Sequence, residues 1–257
     1  MEQKVKRQVN VRYIAELGMF IGIILVLQLT GLNDIQIIPG LKLAVFALIA
    51  IGIGAMLLGP LAGTILGFFY GMTSLYSALT GRGGILTFIY QEDGGFLTVL
   101  LLVLLCVGVR TLVGFATGWL FRLFQKIDKK RIWSYFAGGL LLPLLNTILF
   151  MCLLVLFFYG TQAVQKKAAE LGAISRAMFI ILFAGINAPI EWAAGLVVGG
   201  SVAKGVAYAL KRYEPIPFFK PVVSSMTETA EESVDTLSNA VSEPVGETAQ
   251  PENSKEE

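Results

Sequence analysis

The sequence predicts an all-α membrane protein: six transmembrane helices, both termini on the cytoplasmic side, and a disordered acidic C-terminal tail. Three observations carry this. The 257-residue chain is 55% hydrophobic and 15% charged, with a mean hydropathy of +0.72, whereas a soluble globular chain is about 25% charged. Its apolar residues fall in six runs, each close to the roughly 20 residues a bilayer requires. Its charge is segregated: residues 221–257 hold nine acids and one Lys, a net of −8, so a chain of +2 overall has a basic body of +10.

Taken in order, the basic start MEQKVKRQVNVR enters the first run, about 12–30, without a small-residue cleavage site, which reads as a retained span. The second run, about 41–58, and the third, about 60–79, are separated only by Gly59-Pro60. Pro60 suits the first turn of a new helix, where its missing N–H costs little. The fourth run covers about 96–121, the fifth 134–159 and the sixth 176–210, the last long enough to tilt or project beyond the bilayer. Connections at 31–40, 80–95 and 160–175 then lie on the outer side. Thirteen Lys and Arg fall on the other side, in the N-terminus, the 122–131 connection and the end of the sixth run, against Arg82, Lys166, Lys167 and Arg176 outside. The positive-inside rule therefore places both termini in the cytoplasm. The expected organisation is a basic N-terminus over 1–10, a transmembrane domain over 11–212 and a tail over 213–257, rich in Ser, Thr, Glu and Pro and expected to be disordered.

Composition also excludes chemistry. There is no histidine, hence no His metal ligand and no Ser–His or Cys–His nucleophile. Cys106 and Cys152 lie inside apolar runs and read as small hydrophobes. No phosphate-binding G-x-x-x-x-G-K-[ST] motif is present. Neither metal nor cofactor is expected, and the chain is not expected to be an enzyme.

The polar residues that remain in apolar runs are the informative ones. Arg110 lies mid-run in the fourth, Asn146 in the fifth, and Asn187 and Glu191 one turn apart in the sixth. An ionisable group at membrane depth is expensive and marks a functional-site hypothesis; an Arg110–Glu191 pair and a ligand contact are both open. Arg12 and Glu16 are spaced for an ion pair along one helix face. Gly59, Gly63, Gly67 and Gly71 recur at every fourth position of the third run. In lipid such a stripe lets a second helix approach closely. Gly18 and Gly22, with Ala15, form a shorter stripe in the first run. Loop 80–95, GRGGILTFIYQEDGG from residue 81, is glycine-hinged at both ends and long for a compact bundle, as a lid would be.

The segment IGAMLLGPLAGTILGFFYGMTSL, with VRTLVGFATGWLF at 109–121, LPLLNTILF at 142–150 and NAPIE at 187–191, resembles the substrate-binding (S) components of energy-coupling factor (ECF) vitamin transporters over most of residues 10–212. The resemblance implies a six-helix bundle that binds a vitamin very tightly from outside and docks on a transmembrane T subunit carrying two ATPases, with toppling in the membrane carrying the substrate inward. It implies a substrate site among the outer halves of helices four to six, closed by the 1–2 and 3–4 loops, and so Asn33, Asp34, Gln36, Tyr76, Tyr90, Gln91, Asn146 and Asn187; Arg110 and Glu191 join these candidates on their depth in the apolar runs. The family's Ala-x-x-x-Ala docking motif of helix one corresponds to Gly18 and Gly22. The Asn-Thr and Asn-x-x-x-Glu patterns are most similar to pantothenate-type members, and Arg110 would neutralise that vitamin's carboxylate; riboflavin, folate and a thiamin precursor stay open. A stand-alone secondary transporter or channel for a small polar metabolite is the alternative, although the two halves show no convincing repeat.

Overall fold

The computed structural model describes residues 7–31, 36–38, 41–42, 45–128, 131–185, 187–211 and 219–221. Contacts divide the chain into two units. In one, the strand Arg7–Val9 (β1) pairs antiparallel with Phe219–Pro221, with Val9 opposite Phe219. Those three last residues fall in the segment expected to be tail; the rest of 212–257 lies outside the described residues.

In the other unit, residues 11–217, most of the described residues are helical. The helices are α1 Val11–Leu29, α2 Val45–Leu58, α3 Pro60–Leu79, α4 Ile85–Glu92, α5 Phe96–Ile127, α6 Trp133–Phe158, α7 Gln162–Glu170, α8 Arg176–Ala184 and α9 Asn187–Ala209. A short antiparallel pair, Gln36–Ile38 with Leu41–Lys42, lies between α1 and α2.

Where six spans are expected, four helices among the described residues are long and apolar enough to cross a membrane: α1, α5, α6 and α9. The other two fall short for different reasons. At 14 residues, α2 reaches about 21 Å, less than the roughly 30 Å hydrocarbon core. It is apolar all round and sits inside the protein, with Ala47, Ala55 and Leu58 almost wholly enclosed. The 20-residue α3 is long enough, but Thr64, Thr73, Ser74, Tyr76 and Ser77 dilute its hydropathy. Their hydroxyls are absorbed locally: Thr64, Thr73 and Ser77 donate to backbone carbonyls of the preceding turn at 2.8–3.0 Å.

The turn between α2 and α3 is set by Gly59, whose φ of 95° disfavours any side chain, followed by Pro60 at the first helical position. From there α3 packs along α5 through its glycines. A Cβ built at Gly63 would collide with the Gly114 carbonyl and one at Gly67 with that of Arg110; at Gly71 it would lie 2.7 Å from Val107 Cα. On α5, Gly118 meets Pro60 Cα in the same way, at 2.7 Å. The helices touch backbone to backbone, the geometry that small residues permit in lipid. A second crossing joins α6 to α9, where Gly139 and Gly195 face one another.

The expected single sixth run over 176–210 is broken. α8 stops at Ala184, Gly185 takes φ 48°, and α9 starts at Asn187. The cause is Pro189, which cannot donate to the carbonyl four residues back, that of Gly185, and whose ring would clash with it.

Two of the three connections expected on the outer side are corrected as well. Loop 80–95 contains α4, and 160–175 contains α7. Thr87 Oγ1 donates to Ala78 O and accepts from Gly83 N, both at 3.0 Å, fastening α4 to the end of α3. Glu92 then reaches across to α7 and accepts the Gln162 and Ala163 N–H groups at 2.7 and 2.8 Å. A carboxylate at a helix N-terminus satisfies amides that have no intrahelical partner. Ile89 of α4 and Val164 of α7 are fully buried, so each short helix hides one apolar side.

Candidate functional site

Arg110 and Asn146, predicted from sequence as site residues, meet at one recess between α2, α3, α5 and α6. Leu48 and Ile51 of α2, Val113 of α5 and Leu142 of α6 make its apolar walls, and Tyr70 of α3 completes it. Its enclosed volume is about 10 Å³, room for about one water molecule. Ligand pockets usually enclose about 300–1,000 Å³, so a small-molecule ligand enters only if surrounding elements move apart.

Local structure fixes the cation. One wide, π-helical turn at Leu104–Gly108 interrupts α5 just before Arg110, the kind of irregularity that re-aims side chains at functional sites. Nη1 of Arg110 donates to Cys106 O, inside that turn, at 3.2 Å. The guanidinium lies 4.8 Å from the Tyr70 ring centroid and 5.4 Å from that of Phe150. Two aromatic rings thus hold a planar cation while its Nε, buried, has no hydrogen-bond partner. Asn146 Oδ1 is likewise buried and unpartnered. The unsatisfied donor and the unsatisfied acceptor therefore belong to two residues that line one mostly apolar recess. Buried polar groups rarely stay unsatisfied, because each costs about 1–3 kcal/mol. The arrangement is chemically complementary to a small molecule with an anionic oxygen and a nearby O–H or N–H.

Arg110 and Glu191 do not form an ion pair: among the described residues Arg12 pairs with Glu16 and Lys167 with Glu170, each at 2.9 Å, but no ion pair joins these two. Glu191 is part-buried and lies within electrostatic reach of Arg110. It belongs to the first turns of α9, with Asn187 at the helix start, and neither lines the recess. The neighbouring Trp192 Nε1 is buried without a partner.

Other expected residues lie apart. Tyr76 is 58% exposed on α3; Tyr90 is half-buried and Gln91 exposed on α4. Gln36 stands in the short strand, opposite Lys42, and Asn33 and Asp34 lie outside the described residues. Ala15, Gly18 and Gly22 share the exposed side of α1, opposite the buried Tyr13, Leu17, Phe20 and Ile24. A Cβ at Gly18 or Gly22 would meet nothing within 4 Å. Sequence reasoning missed Tyr70 and Phe150. Tyr70 had a signal, since it falls three residues after Gly67 and seven after Gly63, on the side of α3 that faces α5.

The family model for the substrate-specific component of ECF transporters matches residues 12–198, well over half of the chain and all of the recess. No curated protein matches it.

Proposed function

The chain belongs to the ECF transporter substrate-specific component family, and from that premise we propose that it captures a B-group vitamin, pantothenate before others, from outside the cell. It delivers the vitamin inward with a transmembrane T subunit and two ATP-hydrolysing subunits. It works as a multi-pass protein of the bacterial plasma membrane, with six spans and both termini inside, and has no catalytic residue of its own. The observation that carries the reading is the pair of unsatisfied atoms in one recess, Arg110 Nε and Asn146 Oδ1.

Pantothenate supplies what each atom lacks. Its carboxylate accepts a charge-assisted hydrogen bond from the guanidinium edge, its amide and hydroxyl groups can donate to Asn146, and its gem-dimethyl carbon suits walls such as Ile51 and Leu142. Asn187 and Glu191, together with Asn33, Asp34, Gln36, Tyr76, Tyr90 and Gln91, contact the ligand once the outer elements close on it. Partner docking uses Ala15, Gly18 and Gly22, whose open side of α1 leaves room for a second helix backbone. The glycines of α3 serve packing within the bundle.

The test is calorimetric titration of the purified chain in mild detergent with pantothenate, riboflavin, folate and a thiamin precursor. Tight one-to-one binding of pantothenate, weakened by Asn146→Ala, supports the proposal. Tight binding of another vitamin removes pantothenate, and no binding of any vitamin removes the reading. One observation favours the alternative of a self-sufficient transporter: α8 and α9 form an interrupted helix, as secondary carriers use at their sites. Ion-gradient-driven uptake into liposomes holding this chain alone would establish it.

A further inference from the structure

The turn joining α5 to α6 combines exposed apolar groups with dense positive charge. α5 ends on Ile127, 75% exposed, and α6 begins on Trp133, 78% exposed, with Ile132 also exposed beside it. Lys126 is exposed one residue before the end of α5. By sequence, residues 122–131 hold Arg122, Lys126, Lys129, Lys130 and Arg131 against a single acid, Asp128; Lys129 and Lys130 lie outside the described residues. Asp128 is engaged within the turn itself, where its Oδ2 accepts the Ser134 N–H at 2.8 Å and its carbonyl accepts that of Arg131 at 3.2 Å.

The same end of the bundle gathers more of this pattern. α9 runs antiparallel to α6, with Gly195 against Gly139 and Pro143, and Gly200 against Phe136. One further turn brings Lys204 level with Ile132, followed by Tyr208, 74% exposed, and the exposed Lys211.

Exposed indole and isoleucine beside lysine suit neither bulk water nor hydrocarbon. Trp and Tyr settle at the headgroup level of a bilayer. Lysine stems lie along apolar surface while their ammonium groups reach outward, and basic clusters next to a spanning helix attract anionic lipid. We propose that this end of the bundle is a binding surface for anionic phospholipid headgroups. Ile127, Ile132 and Trp133 seat the turn at the acyl boundary, and Lys126 neutralises the lipid phosphate. The inference stands independently of which vitamin, if any, occupies the recess.

Two measurements on the full chain test it. The first is native mass spectrometry of protein released from nanodiscs of equal phosphatidylglycerol and phosphatidylcholine. The wild-type chain should retain phosphatidylglycerol in excess, Lys126→Gln should reduce that excess about five-fold, the weight of one juxtamembrane charge, and Lys166→Gln, at the other end of the bundle, should leave it unchanged. The second leaves Trp133 as the sole fluorophore through Trp119→Phe and Trp192→Phe. Brominated phosphatidylglycerol should quench it more than brominated phosphatidylcholine. Equal retention of the two lipids, equal loss in Lys166→Gln and Lys126→Gln, or equal quenching by the two brominated lipids would each overturn the proposal.

Discussion

Replacing Gly67 by Ala adds one methyl group, and its effect follows from the α3–α5 contact. The new Cβ would run into the Arg110 carbonyl; one turn further on, a Cβ at Gly71 would stand 2.7 Å from Val107 Cα. Carbon atoms settle at about 3.5–4.0 Å, so the two backbones must separate by about 1 Å to admit the methyl. Neither neighbour is the flexible end of a side chain, which puts the cost at the upper part of the roughly 1–3 kcal/mol of overpacking. The exchange also gains about 1 kcal/mol of helix propensity, which leaves a net loss of about 2 kcal/mol, or about 4–8 °C in the unfolding midpoint at about 2–4 °C per kcal/mol for a chain of this size. Gly18→Ala is the matched control: it adds the same methyl where nothing lies within 4 Å, and the helix gains about 1 kcal/mol of propensity. Both variants would be melted in the same detergent, following intrinsic fluorescence. Gly67→Ala must unfold well below wild type and Gly18→Ala at or above it. Equal midpoints would refute backbone contact as the role of the α3 glycines. Because the displaced carbonyl belongs to Arg110, Gly67→Ala should also loosen the guanidinium from Tyr70 and weaken ligand binding beyond what its lower stability explains.

Glu92→Ala should free the first amides of α7 and cost about 1 kcal/mol, as loss of a helix cap does; hydrogen exchange should accelerate at Gln162 and Ala163 while Leu105 and Val113 stay protected, and unchanged exchange at both amides would discount the cross-link. Gly18→Leu and Gly22→Leu should spare vitamin binding yet impair uptake by the assembled transporter, since bulk there blocks close helix docking; normal uptake in both would move the partner surface elsewhere. Asn187→Ala should raise the dissociation constant for the vitamin, and an unaltered constant would remove that residue from the site.

Much of the helical body was legible because its signals are local. Pro60 after Gly59 marks the α2–α3 boundary, and the runs at 96–121 and 134–159 correspond to α5, which continues to Ile127, and to α6. Hydropathy alone could not tell that α2 is enclosed by protein, because an apolar run reads the same against lipid or against side chains. The short helix α4 was hidden by its flanking glycines, and its link to α7 runs from Glu92 to Gln162, 70 residues away in sequence, which no window of sequence contains. The break before α9 was readable: Pro189 stands four residues after Gly185, the separation at which a helix must give way. For the recess, Arg110 and Asn146 announced themselves as polar groups in apolar runs. Tyr70 and Phe150 did not, because an aromatic residue in such a run is unremarkable until the cation it holds is located. Whether Arg110 met Glu191 depended on helix rotation, which sequence does not encode locally.

The most direct test of the central claim is mass spectrometry of the small molecule that co-purifies with the chain in mild detergent, compared between wild type and Arg110→Ala. The account predicts one B-group vitamin bearing a carboxylate, pantothenate first, in one-to-one ratio with the wild-type chain and depleted from the variant. A wild-type chain that carries no small molecule after exposure to the vitamins, or a ligand retained equally by Arg110→Ala, would contradict it.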